Sequence, residues 1–158
     1  MTITYKEMRE RKIKLDEKRI ETMNKVEKEA LTLVEKYTES LQLERDSWED
    51  YLGNHNPYVM VGLIYSGGHF KEASITSVAI DNYNTINFTI RTVIDDTPRG
   101  GSFVLVDITL WIGDDGHTYV RIGDEVDSIR VLDKNWDRAC FRLKDKVYMG
   151  IAKTKLTY

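Results

Sequence analysis

The residues able to do chemistry are few and scattered. His55, His69 and His117 lie far apart, and no pair has the spacing that sets two imidazoles on one helix face toward zinc. Cys140 stands beside Phe141 and suits a small core residue better than a reactive thiolate. Asp114, Asp115, Asp124, Glu125 and Asp127 supply oxygen ligands, but without the alternating acidic spacing and central glycine of a calcium-binding loop. Gly67-Gly68 and Gly100-Gly101 are isolated doublets with no phosphate-binding lysine after them. No serine sits in a G-x-S-x-G elbow, and Asp95-Asp96 would point opposite ways along an extended chain. The reading is a protein with no catalytic set, no metal and no cofactor.

Three constellations suit binding. Arginine and aromatic side chains dominate contact energies between proteins, which makes Trp48, Tyr51 and Arg99 candidate anchors for a larger partner. Asp114, Asp115 and His117, on a hairpin signalled by Asp-Gly, join them as a second contact loop. A basic stretch from Arg130 onward interleaves cations with Trp136, Phe141 and Tyr148, so Arg142, Lys144, Lys153 and Lys155 could neutralise phosphates. Against nucleic acid, the whole chain carries −3 and no RNA-binding motif. Trp111, with Asp107 and Thr109 on one strand face, could line a small-molecule pocket. A partly exposed strand face under a loop is the simpler account.

Charge is segregated. Residues 57–129 hold 4 Lys/Arg against 10 Asp/Glu, and residues 130–158 hold 8 against 3. The basic tail could neutralise acidic neighbours within the fold, or the two zones could steer a partner.

The elements that must position these residues begin with a stretch lacking Gly and Pro, residues 4–52. Ile13, Ile20, Glu27, Val34, Leu41 and Trp48 recur every seven residues, which predicts one long helix, continuous, bent or broken. Thr4 with Glu7 fits a capping box, and Gly53-Asn54 followed by Pro57 fits a stop. Between Met23 and Leu41 the apolar face is wide enough to lie on a sheet. Before Ile20 it is thin, so the first third should project, with Met8, Ile13 and Ile20 as the seam of a homodimer. Glu27 in that seam disfavours a long parallel coiled coil.

After Pro57 the apolar period changes to two. Strands are predicted over residues 58–65, 73–80, 86–94, 103–112, 119–122, 128–132, 139–143 and 146–156, with Lys144-Asp145 as the last turn. Residues 58–65 and 147–152 are apolar on both parities and need cover on both faces. The fold class expected is α+β. The long N-terminal helix packs on a strongly curved antiparallel meander, or partial barrel, of about seven strands. Residues 1–52 form the helical segment and residues 57–158 the β domain, together one folding unit. Val106, Ile108, Leu110, Phe88 and Ile90 should be buried against Ala30, Val34, Tyr37 and Leu41.

The single cysteine, the lack of a signal-type apolar core in MTITYKEMRERKIK and the lack of a membrane-length apolar run suggest a cytoplasmic protein. The functional expectation is a non-enzymatic, protein-binding regulator: an inhibitor, adaptor or immunity-type factor for a larger enzyme such as a nuclease, an ATP-dependent protease, a polymerase or a toxin. A nucleic-acid binder and a small-molecule-binding or hydrolytic α+β barrel are the alternatives.

Overall fold

A computed structural model describes residues 2–153. Helix α1 (Tyr5–Ser40) opens the fold, and helix α2 (Asp137–Ile151) follows the strands. Strands β1 (Ser47–Glu49) and β2 (His55–Pro57) make a small hairpin. Six more form one antiparallel sheet: β3 (Val59–Tyr65), β4 (His69–Glu72), β5 (Thr85–Val93), β6 (Phe103–Ile112), β7 (Thr118–Ile122) and β8 (Ile129–Val131). Their order is β4-β3-β5-β6-β7-β8: β5 to β8 run as a meander, but β5 pairs with β3 rather than with β4, and the sheet stays open rather than closing into a barrel. The α+β class with a long N-terminal helix on an antiparallel sheet is as the sequence suggests; the expected simple meander is broken where β5 returns beside β3.

Alternation places the core. Ile86, Phe88 and Ile90 on β5 face the same side as Val106, Ile108 and Leu110 on β6, and Val120 and Ile122 continue that side on β7. Val26, Ala30, Leu33 and Tyr37 of α1 are fully buried against this side, one helical turn apart. Val34 and Leu41 are half-buried at its margin. The expected strand residues, Ala30 and Tyr37 are thus in the core, whereas Val26 and Leu33 take the buried places expected of Val34 and Leu41.

Two element predictions are corrected. The first helix ends at Ser40, not residue 52. Gln42 takes a left-handed φ of 52°, and residues 42–46 are exposed. A continued helix would carry Trp48 out into solvent. Reversal instead buries it against Tyr58 and Val93, and that burial outweighs local helix propensity. Gly53, at φ 80°, thus serves the β1–β2 turn rather than a helix stop. The second correction concerns the tail: residues 137–151 form α2 instead of two strands. Ala139, Cys140, Leu143 and Val147 are buried at helical spacing, and Lys144-Asp145 lies inside the helix. α2 covers β6, β7 and β8 on the same side of the sheet as α1. Smaller changes follow. Residues 73–80 hold a short 3-10 turn (Ile75–Ser77), and β4, β1 and β2 were not foreseen.

The other side of the sheet has no helix on it. Its side chains cover one another. Trp111 and Tyr119 stack at 5.7 Å with Arg121 over the Trp111 ring, and Arg91 lies 4.7 Å from the centre of Phe103 and 5.8 Å from that of Phe70. Thr89 donates to Asp107 at 2.7 Å. The face that could have lined a pocket near Trp111 is thus closed by its own neighbours.

α1 is longer than the sheet it crosses. Tyr37 reaches Thr92 at one end, while Arg19 meets Asn82 and Lys25 meets the Gly116 carbonyl at the other. Residues 5–18 are exposed throughout and run on for roughly 20 Å at 1.5 Å per residue. Thr4 Oγ1 caps this end by accepting from Glu7 N at 3.3 Å.

Candidate partner-binding site

The β1–β2 hairpin and the β5–β6 loop, residues 94–102, meet at one end of the sheet. Each is first fixed by its own polar side chains. Asp50 Oδ1 accepts from Leu52 N at 3.0 Å and Asn54 N at 2.9 Å, and Oδ2 accepts from Asn56 Nδ2 at 3.2 Å. These donors, the Asn54 N–H foremost, hold the Asp50 carboxyl below the usual carboxylate range. Asp95 does the same in the second loop. Its Oδ1 accepts from the Thr97 hydroxyl at 2.7 Å and the Thr97 N–H at 3.1 Å, which lowers its pKa in that order of effect. The Asp95 carbonyl also takes the Gly101 N–H at 2.7 Å.

The two loops are then tied together. Tyr51 N donates to Pro98 O at 2.8 Å. The Tyr58 hydroxyl donates to Asp96 Oδ2 at 2.7 Å, and Arg45 Nη2 reaches the same oxygen at 3.3 Å. That bond to a carboxylate raises the Tyr58 pKa. The Trp48 ring packs over Gly101, where a Cβ would stand 3.3 Å from Cη2 at a φ of 98°. The backbone favours glycine there, and the ring leaves a Cβ little room.

Between them lies an open hollow of about 520 Å³, walled by Trp48, Asp50, Tyr51, Pro98, Arg99 and Gly100. Trp48 is buried, whereas Tyr51 is 69% exposed and its neighbour Leu52 is 68% exposed. Arg99 is exposed and makes no ion pair or hydrogen bond to a described residue. Asp50 is consumed by its own turn. What the hollow offers a ligand is a free guanidinium, a free phenol and an apolar wall, all on pinned backbone. That set binds carboxylates and backbone carbonyls, and it lacks a nucleophile–base pair.

Three of the sequence-derived anchors, Trp48, Tyr51 and Arg99, are therefore brought together. Asp114, Asp115 and His117 are not. Their hairpin joins β6 to β7 at the opposite end, about 33 Å away along a ten-residue strand. Asp115 there is spent on structure. It accepts from Tyr119 at 2.6 Å and His117 N at 3.0 Å, which lower its pKa, with Arg130 at 3.8 Å. Met8 and Ile13 are exposed on the projecting part of α1, and Ile20 is exposed just beyond its base.

Of the basic tail, Arg142 pairs with Glu125 at 3.7 Å, and Lys146 reaches Asp124 and Glu125. Lys144 donates to Ser40 O at 3.4 Å. Lys153 is exposed, and Lys155 lies outside the described residues. The tail neutralises acidic neighbours, here from a helix. Asp50, Pro98 and Gly100 were missed as site residues. An aspartate three residues before Gly53 is an Asx-turn signal that could have placed the first of them.

Among the described residues no three His, Cys, Asp or Glu side chains group as a metal site, and no helix is long and apolar enough to cross a membrane. No protein-family model matches the chain, nor does any curated protein or solved structure.

Proposed function

We propose that this chain is a non-enzymatic protein-binding regulator that grips a larger cytoplasmic enzyme through the Trp48–Tyr51–Arg99 hollow, as an inhibitor, adaptor or immunity-type factor. One observation carries the reading: a free guanidinium and a free phenol stand on two loops that are locked to each other. Pre-organised loops lose little entropy on binding, and an unpaired arginine beside an aromatic is the usual composition of a contact hot spot. An acidic or carbonyl-rich segment of the partner fits this chemistry. The nucleic-acid alternative has less support, because Arg142, Lys144 and Lys146 are already engaged within the fold.

The test compares wild type with Arg99→Glu and Tyr51→Ala as bait in cell extract, followed by assay of whichever enzyme is captured. The proposal expects one enzyme held and inhibited in proportion to added wild-type protein. Both variants should lose it by about tenfold or more. Equal capture by all three baits, or sub-micromolar oligonucleotide binding lost on charge reversal in α2, would overturn the assignment.

A further inference from the structure

The projecting end of α1 raises a separate question from the hollow. A helical arm this short is marginal in water on its own, and among the described residues no hydrogen bond or ion pair ties this one to the rest of the fold before Arg19. Its apolar side chains do not continue the buried stripe. At about 100° per residue, Ile13 and Ile20 point roughly 120° away from the centre of the stripe made by Val26, Ala30, Leu33 and Tyr37. They fall instead in line with Leu31, about five whole turns beyond Ile13. Ile13, Ile20 and Leu31 are exposed by 48%, 59% and 46%.

That line runs into an apolar groove between α1 and β3. Leu31, Val34, Val61 and Ile75 wall the groove, a space of about 580 Å³, and the carboxylates Glu35 and Glu72 stand in its walls too. The arm has the opposite charge. Residues 5–19 hold seven Lys/Arg against four Asp/Glu, a net +3, so with the chain at −3 the remainder carries −6.

We propose that two copies of this chain exchange arms: the α1 arm of each lies antiparallel along the other's Ile13–Ile20–Leu31 line, with its beginning at the other's α1–β3 groove. Antiparallel pairing centred on Lys18 sets Ile13 opposite the partner's Met23, which is half-buried between that line and the buried stripe. It brings Ile20 opposite the partner's Asp16, whose charge already has Lys12 at 2.7 Å. It also places Arg9 opposite the partner's Glu27. This accounts for a carboxylate in an apolar seam, which a parallel pairing would set against its own copy. Within one copy Arg9 and Glu27 stand about 27 Å apart on the same helix and cannot meet. Tyr5, 77% exposed, arrives near the partner's Leu31 and fills the groove. The contact is isologous, so it closes at two copies.

Sedimentation of the full chain tests this. Wild type should be a dimer at micromolar concentration, and Ile13→Asp with Ile20→Asp a monomer. Arg9→Glu or Glu27→Lys alone should each raise the dissociation constant about five- to tenfold, since the symmetry repeats every reversed pair. The two combined should restore it to within about twofold of wild type, a rescue that damage to one copy's fold cannot produce. Ile13→Cys together with Met23→Cys should cross-link two copies on oxidation. A monomeric wild type overturns the proposal, as does a double reversal that does not restore association, or Ile13→Cys alone bridging to itself. A monomer whose arm binds duplex oligonucleotide gives the arm to nucleic acid and overturns it equally. None of these readouts involves the hollow, so the partner-binding proposal stands or falls apart from it.

Discussion

The hydroxyls of Tyr37 and Thr92 meet 2.7 Å apart in the core, joining the last turns of α1 to the end of β5. Burial pushes the Tyr37 phenol up to about 12, partly opposed by the bond to Thr92. An unfolded tyrosine titrates near 10. The folded state therefore keeps a proton that the unfolded state loses. Stability is full below about pH 10 and falls as pH rises toward about 12, by an order of 2–3 kcal/mol. Denaturant midpoints across that window should drop for wild type. In Tyr37→Phe this part of the drop should be absent. Identical curves for both proteins would assign the alkaline loss to other groups.

Ile108 is 1% exposed at the centre of β6, between Phe88 of β5 and Ile122 of β7. Ile108→Ala should cost about 2–5 kcal/mol, from lost transfer energy and the cavity left behind. Urea denaturation measures it. A midpoint that barely moves would mean that the core closes over the gap.

Gly62 is forced by a neighbour. A Cβ there would collide with the Lys71 carbonyl and sit 2.6 Å from the Phe70 ring. The carbonyl is backbone and cannot swing aside, so Gly62→Ala should detach β4 from β3 and cost roughly 2–4 kcal/mol. Faster amide exchange confined to residues 69–72 and their partners on β3 would report the detachment. Unchanged exchange there would show that β4 tolerates the methyl.

Asp50 and Asp95 both have lowered carboxyl pKa values. Their stabilisation is present above the ordinary carboxylate pKa near 4 and is lost as pH falls through the lower folded values. The two loops should loosen in acid before the core does. The Tyr51 amide, bonded to Pro98, is the reporter, and its exchange protection should fall at low pH ahead of amides in β5 and β6. Asp50→Asn should show that loosening already at neutral pH. Simultaneous loss of both sets of amides would remove the local role given to these carboxylates.

Where one period dominated a long stretch, the chain was readable. Phe103–Ile112 alternates over ten residues, and both its bounds and its buried face follow from the letters alone. The seven-residue repeat of α1 was equally clear up to Tyr37. Leu41 still continues it at the helix end, but Trp48 and Tyr51 keep the spacing outside the helix, and only tertiary burial of Trp48 decides against helix there. Residues 139–147 show the converse. Short apolar runs fit strand or helix, and the need to cover β6, β7 and β8 selects helix. At the hollow, Trp48, Tyr51 and Arg99 were legible by residue type. Their convergence was not, because it rests on backbone bonds such as Tyr51 N to Pro98 O that leave no trace in composition.

The outermost strands of the six-stranded sheet are β4 of four residues and β8 of three. Both are too short to template another chain, and Lys71 and Arg130 put a cation on each. Strand addition is thereby disfavoured at these two outer edges.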